Sequence, residues 1–291
     1  MLTVFNDAVD GAVGSASTDA EPRLEVILRR PRQPVFQTPL LFLHGAFVGA
    51  WCWEVHFLSY FVQRGFTVCA PSLRGHGRSG GREQLQHIGM QEFVHDLERV
   101  VAELEYPPVL IGHSMGGLVI QKYLEHHSVP AAVLMASVPP HGLLQSSMRL
   151  LLGDPLLLAQ LTVLQGIGPG AADLGIARRA VFSDRLPEAE LLEYARKLQP
   201  ESQRALWDMT IGALPCPWRV QAPPMLVIGA RDDVLFSIAE VERTAQAYGA
   251  DLHLQPDMAH AIMLEPGWRI VAQRIIDWLA DKHLEMAAPD S

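Results

Sequence analysis

The feature that most constrains how this chain can fold is the run Pro108-Val109-Leu110-Ile111-Gly112-His113-Ser114-Met115-Gly116-Gly117-Leu118-Val119. It reads as an apolar strand, then Gly-x-Ser-x-Gly, then an amphipathic helix. That flanking context turns a common five-residue pattern into a sharp strand-to-helix elbow. A serine held on such a turn leaves no room for side chains at Gly112 and Gly116. The turn also sets Ser114 at a helix N-terminus, where the amide of Met115 points outward and the helix dipole favours negative charge.

A serine hydroxyl is a poor nucleophile near neutral pH, so it needs a base within reach and a third group that fixes the tautomer of that base. On an elbow of this kind the chain order is nucleophile, acid, base. Asp232 follows the apolar run Met225–Ile228 across the turn Gly229-Ala230-Arg231, and His260 lies shortly after the run Leu252–Leu254. Both fall in loops after strand ends, where the sites of open α/β sheets gather. Asp233 is the close rival for the acid and Asp257 a weaker one, since a shift of one residue on a loop turns the side chain away. Of the 12 histidines, His126, His127 and His283 sit in or beside helices and read as solvated, while His113 lies within the elbow, pointing away from the nucleophile. Leu41-Phe42-Leu43-His44-Gly45-Ala46-Phe47 is an apolar strand running into His-Gly. The backbone N–H of Ala46, with that of Phe47 as second choice, is expected to pair with that of Met115 as an oxyanion hole. Phe47 and His113 are expected to contact substrate.

Around these motifs, short apolar runs at Leu24–Leu28, Leu40–Leu43, Thr67–Ala70, Val109–Ile111, Ala132–Ala136, Met225–Ile228 and Leu252–Leu254 alternate with helical patterns. The helical patterns are Trp53–Arg64, Leu85–Leu104, Met115–His126, Ile238–Tyr248 and Trp268–Leu284. Runs apolar at consecutive positions suit strands covered on both faces, and the alternation implies a mostly parallel sheet with right-handed crossovers. From Val138 to about Pro223 the patterns are helical only: Leu143–Leu164, Ala171–Phe182, Glu188–Lys197 and Glu201–Met209. The expected organisation is a flexible arm over residues 1–22, a core over 23–137 and 223–291, and a helical cap, or lid, over 138–222.

A net charge of −9, with Lys122, Lys197 and Lys282 the only lysines, argues against nucleic acid. The three cysteines, Cys52, Cys69 and Cys216, are too far apart for a zinc or redox motif. No metal or cofactor is implied, and Gly75–Gly81 does not open a dinucleotide-binding unit. The N-terminus has no basic stretch leading into an apolar one, and no apolar run is long enough to span a membrane, so the expectation is a cytoplasmic protein. Homo-oligomerisation is compatible with the sequence.

Taken together, His44-Gly45, Gly75-His76-Gly77-Arg78-Ser79, Gly112-His113-Ser114-Met115-Gly116-Gly117, Gly229-Ala230-Arg231-Asp232 and Ala259-His260 resemble the α/β-hydrolase superfamily in motif and order. The resemblance covers roughly residues 24–137 and 223–284. It implies a mostly parallel sheet flanked by helices, a helical lid inserted after the sixth strand, a triad of Ser114, Asp232 and His260, and the amides of Ala46 and Met115 as the oxyanion hole. One departure is visible: many members carry an Asp ahead of the Gly-x-Gly-x-Ser loop, where this chain has Ser72-Leu73-Arg74. Residues 44–53 are similar to plant esterases and hydroxynitrile lyases, and Val138-Pro139-Pro140-His141-Gly142 is similar to lysophospholipase-like bacterial hydrolases. The expected function is hydrolysis of a small-molecule ester or thioester with a small to medium apolar acyl group. Alternatives are carbon–carbon bond hydrolysis, a lyase or cofactor-free peroxidase activity, and a non-catalytic receptor on the same fold. Serine at the elbow argues against haloalkane dehalogenase and epoxide hydrolase, which need a carboxylate nucleophile.

Overall fold

Strands that are apolar at every position need cover on both faces, and this chain supplies it. The computed structural model describes residues 3–5, 21–167 and 174–283. Among these residues eight strands, β1 (Thr3–Phe5), β2 (Glu25–Arg29), β3 (Leu40–Leu43), β4 (Val68–Pro71), β5 (Val109–His113), β6 (Ala132–Met135), β7 (Met225–Ala230) and β8 (Asp251–Gln255), form one sheet in the order β1-β2-β4-β3-β5-β6-β7-β8. β2 and β4 pair antiparallel and every other neighbour is parallel. Most of the stretch expected to be an arm lies outside the described residues; within it, Thr3–Phe5 pairs alongside Glu25–Ile27.

Because successive side chains of a strand point to opposite faces, each strand feeds two cores. Leu40, Phe42, Ile111, Val133 and Ile228 pack on one face with α1 (Trp51–Glu54), α2 (Phe57–Val62) and α11 (Trp268–Asp281). Leu41, Leu43, Leu110, Leu134 and Val227 pack on the other with α3 (Met90–Ala102), α4 (Met115–Tyr123) and α10 (Ile238–Tyr248). Between β6 and β7 every described element is helical: α5 (Leu144–Gly153), α6 (Pro155–Ile167), α7 (Leu174–Val181), α8 (Glu188–Ala195) and α9 (Gln203–Trp207), followed by short turns of helix at Asp208–Gly212 and Pro217–Arg219.

Three expected helices are divided. Trp53–Arg64 is split at Val55-His56 into α1 and α2. Leu143–Leu164 breaks at Asp154-Pro155, where proline cannot continue the helical hydrogen bonds and the Asp154 carboxylate accepts from the Leu157 amide at 3.0 Å to start α6. Leu85–Leu104 breaks at Gly89, whose amide donates to Glu92 at 2.8 Å at the head of α3. The expected start at Ala171 and end at Leu284 lie outside the described residues.

Candidate active site

The C-terminal ends of β3, β5, β7 and β8 converge on one edge of the sheet and bring four distant stretches of chain together. Ser114 follows β5 directly and heads α4 with φ 51° and ψ −115°, a left-handed conformation that a non-glycine residue adopts only where its surroundings enforce it. Enforcement comes from close packing. A Cβ on Gly116 would overlap the backbone carbonyls of Leu43 and His44, so the first turn of α4 can press against the end of β3 only with glycine there. Gly117 and Leu118 donate to the Ser114 carbonyl, and the Met115 amide, with no acceptor among the described residues, is left at the helix head.

Ser114 and His260 line the same cavity. Nδ1 of His260 donates to Oδ2 of Asp233 at 2.9 Å, with both side chains almost wholly buried. A carboxylate only accepts, so this bond puts a proton on Nδ1 and, whenever the ring is neutral, leaves the lone pair on Nε2. The other oxygen of Asp233 accepts from the amides of Leu235 (2.8 Å) and Phe236 (3.2 Å), which fixes the carboxylate in place.

The acid expected from the sequence was Asp232, whereas the aspartate that the structure brings to His260 is Asp233, one position on. β7 continues two residues beyond Ile228, with Gly229 opposite Leu254 and Ala230 opposite Gln255. The Arg231 amide then donates to Gln255 and the Asp232 amide to the Met258 carbonyl, so the chain turns later and Asp232 is exposed to solvent. Asp257, the weaker rival, forms an exposed ion pair with Arg185 at 2.7 Å.

The loop after β3 runs beside Ser114: a Cβ on Gly45 would come within 3.1 Å of Cβ of Ser114. His44 is fully buried, and its ring is fixed at both nitrogens: the Leu73 amide donates to Nε2 (3.0 Å), so Nδ1 carries the proton and donates to the Gly45 carbonyl (2.7 Å). Burial, aided by the nearby His76, lowers its pKa to about 3, in keeping with a neutral ring. In a trans peptide the N–H points opposite to the C=O, so tethering the Gly45 carbonyl to His44 directs the Ala46 amide to the other side. That amide has no acceptor among the described residues, whereas the amide of Phe47, the second choice, donates to Oε2 of Glu201 at 3.1 Å.

Phe47 and His113 both border the cavity. Nε2 of His113 donates to the backbone carbonyl of His260 at 2.9 Å, and the two rings lie 4.8 Å apart. Burial, with the neighbouring His260, holds the His113 pKa well below the usual histidine range, so this ring is a neutral support behind His260. The cavity is about 270 Å³, and its walls are largely aliphatic, with Leu143 and Leu150 of the α5 region, Leu158 and Leu161 of α6, and Ile176 and Ala180 of α7. No composition signal marks those residues as a pocket, because a Leu-rich amphipathic helix reads the same when it faces a core.

The departure at Ser72 has a counterpart elsewhere. Oγ of Ser72 donates to Oε2 of Glu25 at 2.7 Å, and the same carboxylate accepts from the amide (2.9 Å) and Nε (2.7 Å) of Arg78. Glu25 on β2 thus brings a carboxylate to a loop where many relatives use an Asp of the loop itself. Glu201 and the 75–77 loop are a further pairing that local sequence patterns did not reveal, since their partners lie more than a hundred residues apart.

The sequence profile of the alpha/beta hydrolase family matches residues 40–273. The chain belongs to that family. A monoacylglycerol lipase of Mycolicibacterium smegmatis is 27% identical over 241 residues, which cover 77% of this chain and 81% of the lipase. A non-heme haloperoxidase of Rhodococcus erythropolis is 38% identical, but over 107 residues only, 35% of this chain and 38% of the haloperoxidase. Among solved structures, a thermophilic esterase from Thermogutta terrifontis superposes with a TM-score of 0.69 at 20% identity, covering 92% of this chain and 96% of the esterase. By sequence the chain is similar to a lipase, and in fold to an esterase. Among the described residues no helix is long and apolar enough to cross a membrane.

Proposed function

We propose that this protein hydrolyses carboxylic esters, or thioesters, of small to medium apolar acyl groups through a Ser114–His260–Asp233 triad. The observation that carries this reading is that a strained serine at a helix head shares one apolar cavity with a histidine whose Nδ1 is bonded to a buried aspartate. Ser114 attacks the substrate carbonyl while Nε2 of His260 takes the hydroxyl proton. The negative oxygen that forms is met by the amides of Ala46 and Met115, and His260⁺ then returns its proton to the leaving alcohol. Water activated by the same histidine attacks the acyl-enzyme, releasing the acid and restoring Ser114.

The acyl preference is supported by the cavity. Its volume of about 270 Å³ lies at the small end of ligand pockets, and aliphatic side chains of the inserted helices form much of its wall. On this reading residues 138–222 act as a cap that excludes water from the acyl-enzyme. A fluorophosphonate probe tests the proposal: the expected result is stoichiometric labelling of Ser114, with labelling and p-nitrophenyl butyrate turnover both abolished in Ser114→Ala. A folded wild-type protein that neither labels nor turns over any ester of a two- to ten-carbon series overturns it.

A further inference from the structure

We propose that Glu201, in the loop between α8 and α9 of the inserted helices, is a positioning residue that holds the Ala46–Phe47 peptide and so keeps the Ala46 amide aimed at the reacting oxygen. The proposal rests on the hydrolase reading above and adds to it a requirement for a residue of the cap.

Phe47 has a φ of 66°, a left-handed conformation costly for a bulky side chain, and it persists only where neighbours hold it. Both of its backbone polar groups are held by one remote segment: its amide donates to Oε2 of Glu201 at 3.1 Å, and its carbonyl accepts from the Gln199 amide at 2.9 Å. On the preceding peptide His44 holds the Gly45 carbonyl at 2.7 Å. Ala46 therefore sits between two pinned peptides, one fixed by the core and one by the cap.

The Glu201 carboxylate is itself fixed on all sides. It is 1% exposed; Oε1 accepts from the Ser202 amide at 2.7 Å, and Oε2 also accepts from Nε2 of His76 at 2.9 Å. Nδ1 of His76 faces the Arg74 carbonyl at 3.0 Å, an acceptor only, so both ring nitrogens carry protons and the pair is a buried imidazolium–carboxylate. The side chain of Gln199 clasps the same loop, accepting from the Gly77 amide (2.8 Å) and donating to the Gly75 carbonyl (3.1 Å). A carboxylate anchored by a charged partner resists being drawn off Phe47, and an oxyanion donor acts through its alignment, so loss of the anchor should affect the transition state more than the ground state.

The test measures p-nitrophenyl butyrate kinetics with active sites counted by fluorophosphonate titration. Two leucine variants and the conservative Glu201→Gln are compared with wild type: the leucine variants are Glu201→Leu, and the double variant His76→Leu with Glu201→Leu, which leaves no unpaired charge buried and so protects the fold. In both, kcat per titrated site should fall about 10- to 100-fold, part of what removal of an oxyanion donor costs, while KM stays within about twofold. Glu201→Gln, which keeps one acceptor oxygen, should fall between them and wild type. A double variant with wild-type kcat per titrated site overturns the proposal, even if fewer sites titrate, because that pattern belongs to a residue that only holds the cap on. A wild-type protein that does not titrate at Ser114 fails the hydrolase reading itself, and the proposal with it.

Discussion

The carboxylate of Asp233 lies 2.9 Å from Nδ1 of His260, while the preceding Asp232 faces solvent. Two adjacent acids thus present the same chemistry at different places, and the difference is measurable. Asp233→Asn should lower kcat about 10⁴-fold, because an amide in that position no longer enforces the Nδ1–H tautomer. Asp232→Asn should leave kcat within about twofold. Steady-state kinetics on purified variants of matched thermal midpoint decide between them; equal losses at both positions would remove Asp233 from its role.

The aliphatic wall predicts how selectivity can be shifted. Leu150 is largely buried in α5 and borders the cavity. Leu150→Trp fills space that a longer acyl chain needs. Each buried methylene is worth about 0.8 kcal/mol, close to fourfold in kcat/KM, so losing room for two should cost longer esters about 15-fold more than acetate. A p-nitrophenyl ester series from acetate to decanoate reads this directly, and a uniform loss across the series would show that the acyl group does not reach Leu150.

The fold and the elbow serine were legible because they are written locally. The elbow around Ser114 is a contiguous pattern whose glycines answer to steric contacts, and runs such as Leu40–Leu43 are apolar at every position because both sheet faces are covered. His260 could be placed by strand order. The acid could not be resolved between adjacent residues, since the choice depends on how far β7 continues to pair with β8 through Ala230 and Gln255, which is a matter of tertiary register. Glu201 was hidden for a stronger reason: its partners His76 and Phe47 are 125 and 154 residues away in sequence.

Buried histidines give the protein a stability that depends on pH. His44 titrates at about 3 in the folded state and His113 is likewise depressed, against about 6.5 in an unfolded chain. Below pH 6.5 the unfolded chain takes up protons that the folded protein cannot, so stability falls as pH drops through that window. His76 has the opposite sign. Burial alone would lower its pKa, but the charge and hydrogen bond of Glu201 outweigh that and raise it, so its contribution is complete below 6.5 and is lost only as pH rises through its folded value. Urea unfolding between pH 6.5 and 5.5, above the main carboxylate range, should show stability declining by up to about 1.4 kcal/mol per pH unit for each depressed histidine. His44→Gln should flatten that slope whatever its effect on absolute stability, and an unchanged slope would mean that His44 is not kept neutral.

The bond between Ser72 and Glu25 makes these two positions depend on each other. Introducing at residue 72 the aspartate common among relatives would set one anion against another in a buried space that now holds one, with no cation added. Consensus engineering of this loop, normally a safe route to a sturdier enzyme, would here weaken it unless residue 25 were neutralised in the same step.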